Sequence, residues 1–255
     1  MNEEKNEEQI IPQEKKAEVI KEKMTPAFDN LESSIKTWWA SLKQVINIYL
    51  IALLYSFIPL ALIILLVFLS SMGWFPEIVG VIISVFAVLV IIYFILKAYI
   101  AIVLLLKSDF TAEAKVLFKE ANKYVVDYIG LAILTAILIL LWALLLIIPA
   151  IIFSVFYSLV YMVFFFEDKK GMKAIRRSKE LVKGYFWPVA GRMGLIALVM
   201  MVVMIIISIP NAYFSEESLA YGLWNLLIQI ISFLIGPISL FFTYNIYKDL
   251  KKIKD

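Results

Sequence analysis

Residues 171–187 of the chain have the sequence GMKAIRRSKELVKGYFW and lie between two long apolar runs. Small and apolar side chains recur in this stretch at helical spacing, and lysines and arginines occupy the other faces. Gly184 tolerates a positive φ and predicts the end of the helix. Aromatic residues of the kind found in the headgroup layer of a bilayer follow at once. The stretch therefore predicts an amphipathic helix near 171–185 on a membrane surface.

The composition of the chain is typical of an integral membrane protein. It has 255 residues, of which 63% are hydrophobic, and its mean hydropathy is +0.90. It contains no cysteine and no histidine, which excludes disulfides and thiolate metal sites and removes the usual general base at neutral pH. We therefore expect a protein that is not an enzyme, with no catalytic residues, no metal site and no cofactor.

Long apolar runs divide the chain into six predicted membrane spans. Single crossings are predicted from the runs at about 45–69, 78–106, 189–209 and 219–247. The run at 125–166 would form a helix of about 60 Å, which is twice the hydrocarbon thickness. Pro149 lies near the middle of that run, so we expect a tight hairpin there and two crossings.

The distribution of charge predicts how these spans are oriented. The 24 lysines and arginines lie in the N-terminal region, at Lys97, at 107–123, at 167–192 and in the C-terminal tail. The three opposite turns contain none. Because basic residues favour the cytoplasmic side of a membrane, we expect both termini in the cytosol. We expect the protein in the cell membrane of a prokaryote.

The predicted fold is an all-α, polytopic bundle of six transmembrane helices with amphipathic cytosolic connecting helices. Residues 1–30 are rich in Glu and Lys and predict a disordered cytosolic tail. The six-span domain is expected at 31–247, with interfacial helices near 31–44, 110–123 and 171–185, and a charged cytosolic tail at 248–255.

Residues 147–198 resemble a known group of bacterial and archaeal multi-pass proteins. The residues that carry the likeness are the turn Ile148-Pro149-Ala150, an aromatic-rich fourth span, and Ala174-Ile175-Arg176-Arg177-Ser178 with Leu181, Lys183, Gly184 and Trp187. The group resembles the membrane domain attached to some glycerophosphoryl diester phosphodiesterases, together with stand-alone relatives. The resemblance implies the fold and the membrane location. It implies no catalysis, because the chemistry of that family belongs to a separate soluble barrel that uses histidine and carboxylates with a metal.

The basic residues around the central helix are the first candidate site. At a membrane surface they can contact anionic lipid, at about 1 kcal/mol per charge. The alternative is that they only set the topology, without a specific ligand. Nucleic acid is not expected, because the helix is held on the bilayer and acidic residues are interspersed. The candidate residues are Lys169, Lys170, Lys173, Arg176, Arg177, Lys179 and Lys183.

A stripe of small and polar residues on the sixth span is the second candidate. Its members advance by alternating steps of three and four, so that they share one face of an otherwise apolar helix. The stripe is either a seam of helix packing or one wall of a hydrophilic path, with Pro237 giving a local break. The polar residues of interest are Asn225, Gln229, Ser232, Ser239 and Thr243.

Lys97 is the only charged residue well inside an apolar run. A charge at the bilayer centre costs about 2.5–3.5 kcal/mol on insertion scales, so such a residue is usually functional or extends to the interface. If the membrane core begins at Ile78, Lys97 lies near the cytosolic interface and extends its ammonium group there. Otherwise Lys97 binds an anion or pairs with Asp127.

These features together predict a non-enzymatic accessory or scaffold protein. It would engage anionic lipid, or an unknown protein partner or further copies of itself, through basic cytosolic helices. The alternative prediction is a small transporter or permease that uses the polar stripe and Lys97.

Overall fold

The computed structural model describes residues 24–74 and 76–255, which are helical with no strand among them. We number the helices in chain order: α1 Ala27–Ser71, α2 Glu77–Lys107, α3 Ala114–Ala121, α4 Val125–Leu145, α5 Ile147–Tyr157, α6 Val160–Glu167, α7 Met172–Val182, α8 Phe186–Ser208 and α9 Leu219–Lys254, with a 3-10 helix at Ile209–Tyr213.

Six helical segments within the described residues are long and apolar enough to cross a membrane. Their most apolar stretches have mean hydropathies between 2.1 and 3.2. The segments are Ala27–Ser71, Ile78–Lys107, Val125–Leu144, Ile147–Glu167, Phe186–Tyr213 and Leu219–Lys254. The all-α class and the six apolar helices are thus confirmed, and the chain is an integral membrane protein.

The first span is part of one continuous helix. α1 has 45 residues, which corresponds to about 67 Å and to more than twice the hydrocarbon thickness. The expected separate helix near 31–44 is not formed, because no glycine or proline interrupts the sequence from Ala27 to Ile58. The N-terminal part of α1 therefore extends beyond the predicted span as part of the same continuous helix.

The hairpin expected at 125–166 turns at Leu146 rather than at Pro149. Leu146 is extended, with φ −164° and ψ 145°, and separates α4 from α5. Pro149 lies in the first turn of α5, where its missing N–H would have no intrahelical partner anyway. The proline therefore begins the second arm of the hairpin instead of forming its turn.

The fourth span is broken at Ser158 and Leu159, between α5 and α6. A helix end leaves backbone carbonyls that need other partners. The hydroxyl of Ser178 in α7 donates to the carbonyl of Phe156 at 2.7 Å, and Ser178 is fully buried. Ser178 therefore caps the end of α5 from a different helix.

The two ends of the described chain meet at one end of the bundle. Asp249 of α9 accepts hydrogen bonds from the backbone N–H and the hydroxyl of Thr25, both at 3.0 Å. The guanidinium group of Arg192 donates to the carbonyl of Thr25 at 2.5 Å. We call this end, which also carries α3 and α7, the basic end. The opposite end, with the turns that join the arms of the hairpins, is the turn end.

The folded body begins earlier than the sequence suggests. Met24 and Asn30 are buried, and Asn30 also donates to Asp249, at 3.4 Å. The last seven residues of the expected tail at 1–30 are thus part of the packed structure. Residues 1–23 lie outside the described residues.

Close packing is concentrated toward the basic end. The final turns of α2, most of α6 and the C-terminal half of α9 supply many of the buried side chains. Toward the turn end large apolar side chains are exposed, among them Ile58 at 75%, Leu144 at 76% and Leu219 at 79%. Lipid chains are as apolar as these side chains, so that in a bilayer this exposure carries little cost.

The contact between Asp249 and Thr25 can be tested by mutation. Replacing Asp249 with alanine removes the shared acceptor, so we expect the free energy of unfolding in detergent micelles to fall by about 1–2 kcal/mol. Asp29→Ala is the matched control, because Asp29 is exposed in the first turn of α1. Equal stability of the two variants, measured by denaturant titration, would contradict the contact.

Candidate functional site

α7, the helix of the basic stretch, is docked on the protein itself. Asp168 and Gly171, with φ of 52° and 53°, reverse the chain after α6 so that α7 packs against α5, α6 and α9. The residues of its buried face are Ala174, Ile175, Ser178, Leu181 and Val182. The apolar face of α7 therefore contacts the protein's own helices, whereas the sequence suggested contact with the bilayer surface.

Three of the seven basic candidates form ion pairs inside the protein. The ammonium group of Lys169 lies 2.7 Å from Glu167, and the guanidinium group of Arg177 lies 3.0 Å from the same carboxylate. Lys170 is 2.6 Å from Asp127, and this hydrogen bond raises the pKa of Lys170. These cations are therefore engaged in holding α4, α6 and α7 together.

Glu167 is the centre of a compact polar cluster at the basic end. Its side chain is only 8% exposed, and it also accepts a hydrogen bond from the hydroxyl of Tyr247 at 3.2 Å. Arg177 bridges from Glu167 to the side chain of Asp255. Burial acts to lower the pKa of Arg177, but the hydrogen bonds and charges of Asp255 and Glu167 outweigh it and raise that pKa. The cluster joins α6, α7 and the end of α9.

The remaining basic candidates are directed away from these pairs. Lys179 lies over the rings of Phe153 and Phe156, at 5.4 and 5.9 Å from their centres. The other three are exposed and have no salt bridge among the described residues: Lys173, Arg176 and Lys183. The structure thus divides one basic stretch into an internal set and a solvent-facing set, which the sequence alone did not do.

Lys97 lies in the part of α2 that is nearer the basic end. It follows the first residue of α2 by 20 positions, which corresponds to about 30 Å along the helix and to the hydrocarbon thickness. This placement favours the interface interpretation over a position at the bilayer centre. The alternative pairing with Asp127 is not formed, since Asp127 bonds to Lys170 and Lys97 has no salt bridge among the residues that the structure describes.

The ammonium group of Lys97 is held by aromatic rings. Its nitrogen lies 4.5 Å from the ring centre of Phe118 on α3, and 5.6 and 6.0 Å from those of Tyr93 and Phe94. α3 brings further cations to the same place, because Lys97 lines a cleft of about 730 Å³ together with Val116, Lys119, Glu120, Asn122 and Lys123.

The polar stripe of α9 is in part a packing seam. The amide of Asn211, in the 3-10 helix, donates to the side-chain oxygen of Asn225 at 3.1 Å. The amide of Asn225 in turn donates to the carbonyl of Tyr221 at 3.1 Å. Gln229, one turn further along, is exposed. The stripe therefore does not act as one continuous surface.

The inner part of the stripe lines a cavity of about 310 Å³, a size typical of the smaller ligand pockets. The hydroxyls of Ser232, Ser239 and Thr243 each donate to a carbonyl of their own helix. The cavity is completed by Tyr49, Tyr99 and Tyr161 and by the break at Ser158. Hydroxyl-bearing residues from four helices thus meet at this point.

Sequence reasoning missed the partners of both candidate sites. The tyrosines around the cavity lie in apolar runs, where aromatic residues indicate only an interface. Lys119 lies in α3 and Lys123 in the turn that follows, both in a segment that the sequence marks only as amphipathic. No one-dimensional signal connects that segment with Lys97, because the contact depends on how α3 folds back on α2.

Two substitutions in the stripe test which of its polar residues contribute to helix packing and which are only exposed. Asn225→Leu removes the acceptor of the Asn211 amide, so we expect the free energy of unfolding in micelles to fall by about 1 kcal/mol. Gln229→Leu is the matched control. Because the side chain of Gln229 is exposed, this substitution should leave the free energy of unfolding unchanged. A larger loss for Gln229→Leu than for Asn225→Leu would refute this assignment of the seam.

No protein-family model matches the chain, and no match is found among curated proteins or solved structures.

Proposed function

We propose that the chain is a non-enzymatic accessory or scaffold protein of a prokaryotic cell membrane, which engages anionic lipid headgroups through its basic end. The observation that carries the proposal is the exposed set Lys173, Arg176 and Lys183. Among the described residues these cations form no salt bridge, while neighbouring cations pair with carboxylates of the protein.

The proposed orientation places the basic end and both termini in the cytosol. Most basic residues among those that the structure describes lie in segments at this end, and cations favour the cytoplasmic side. The inner leaflet carries anionic lipids, which attract surface lysines and arginines at about 1 kcal/mol each. Trp187, in the first turn of α8, is 80% exposed and has the amphipathic ring expected at the headgroup level.

The non-enzymatic role rests on the residue types that the sequence lacks. With no histidine and no cysteine in the chain, neutral-pH acid–base and thiolate chemistry would need other groups. The carboxylates of Glu167 and Asp127 are held in ion pairs with lysine and arginine. A docked helix with exposed cations is suited to recruiting lipid, or an acidic partner protein, without transforming it.

Lipid selectivity tests this function. In nanodiscs with spin-labelled lipids, we expect the wild-type protein to enrich phosphatidylglycerol over phosphatidylcholine in its boundary layer. The variant Lys173→Gln, Arg176→Gln, Lys183→Gln should lose most of that preference, since each charge contributes about 1 kcal/mol. The charge-conserving variant Lys173→Arg, Arg176→Lys, Lys183→Arg should keep it. An unchanged preference in the glutamine variant would count against the proposal.

A transporter or permease is the second candidate, because the hydroxyl-lined cavity adjoins the break in the fourth span. Broken helices at membrane depth mark the binding sites of many transporters. Proteoliposomes can be screened for flux of inorganic ions, amino acids and sugars. If this function is correct, Ser239→Leu fills the cavity and abolishes a flux that Gln229→Leu leaves intact. Absence of flux in the wild-type protein would remove this candidate.

A further inference from the structure

The cleft around Lys97 has a strongly cationic lining for a position so close to the membrane core. Three lysines and one carboxylate line it: Lys97 from α2, Lys119 and Glu120 from α3, and Lys123 from the turn that follows. None of the three lysines forms a salt bridge among the described residues. The lining therefore keeps a net positive charge that no group of the described structure neutralises through an ion pair.

The donors of the cleft are oriented by their neighbours. Cation–π contact with Phe118 and Tyr93 holds the ammonium group of Lys97 toward α3, and these contacts use ring faces rather than oxygen acceptors. The hydroxyl of Tyr93 donates to the side-chain oxygen of Asn122. That bond fixes the amide group of Asn122, whose NH₂ group is a hydrogen-bond donor. The cleft thus offers lysine and amide donors suited to phosphate oxygens.

The surroundings of the cleft are apolar on the side of the turn end. Phe86 precedes Lys97 by three helical turns on the same face of α2 and is 67% exposed. Tyr55 of α1 is 55% exposed and stacks on Phe94 and Phe118 at 5.3 and 5.7 Å. A ligand with an anionic head in the cleft could therefore extend an apolar chain along this wall.

We propose that this cleft binds the phosphate headgroup of one anionic phospholipid, with the acyl chains along α2 and Tyr55. Lys97 lies about one hydrocarbon thickness from the first residue of α2, so its ammonium group is at the depth of the headgroup phosphates. The site is built from α2, α3 and the turn after α3. It is separate from the exposed cations of α7 and does not depend on their role.

Native mass spectrometry of the delipidated full-length chain tests the site. Titration with phosphatidylglycerol and with phosphatidylcholine of the same acyl chains gives the affinity for the first bound lipid. We expect wild-type protein to bind phosphatidylglycerol more tightly, and Lys97→Gln to weaken that first affinity about fivefold, the equivalent of one surface charge. The triple variant Lys97→Gln, Lys119→Gln, Lys123→Gln should bind the two lipids with equal affinity.

Matched variants make the result specific. Lys97→Arg keeps the charge and should retain the preference. Lys115→Gln removes an exposed lysine of the same helix that lies outside the cleft and should also retain it. Lys119→Gln with Lys123→Gln changes only exposed side chains, so this variant decides the question if Lys97→Gln does not fold.

Several outcomes would overturn the proposal. One is a wild-type protein without preference for phosphatidylglycerol at the first site, and another is an equal loss in Lys115→Gln. Displacement of the lipid by glycerol phosphate, at a concentration comparable with that of the lipid, would indicate that the cleft binds a soluble phosphate instead. Loss of the first site in the α7 glutamine variant but not in the cleft variants would support the proposed function while excluding this site.

Discussion

The buried carboxylate of Glu167 is the contact on which the basic end depends. A carboxylate at 8% exposure is stable only when it is paired, and Glu167 is bound by Lys169, Arg177 and Tyr247. These partners come from the loop after α6, from α7 and from α9, so that one side chain joins three parts of the chain. The docking of α7 follows, and with it the burial of Ser178 under the end of α5.

This docking determines which cations are available for binding. Arg177 is directed inward to Glu167 and Asp255, whereas Arg176, its neighbour in sequence, is directed outward and is exposed. Two adjacent arginines with the same chemistry therefore have different surroundings: Arg177 pairs with carboxylates, whereas Arg176 forms no salt bridge with the residues that the structure describes. A similar separation occurs at Lys170, which pairs with Asp127, and Lys173, which is exposed.

The two ends of the bundle have different physical characters. At the basic end aromatic and aliphatic side chains interdigitate, as where Phe166 stacks on Tyr244 at 4.7 Å, and ion pairs fasten the helices. At the turn end the hairpins contact each other little, and their apolar surfaces are exposed. Because lipid can fill the space between apolar helices without an energetic penalty, the fold needs firm packing only where water and headgroups begin. Both the cleft at Lys97 and the hydroxyl-lined cavity lie toward the basic end.

The sequence by itself determined the number of spans, the all-α class and the uneven distribution of charge, because span length and hydropathy are properties of consecutive residues. It placed Pro149 in the hairpin but not the turn at Leu146, since a proline is equally suited to a turn and to the first turn of a helix. Only the tertiary structure decided which lysines of the described residues form ion pairs. Asp255 reaches Arg177 across 78 residues, and Lys97 meets Lys119 and Lys123 only when α3 packs on α2. Such pairings depend on how helices pack in three dimensions, which the periodicity of a single helix does not encode.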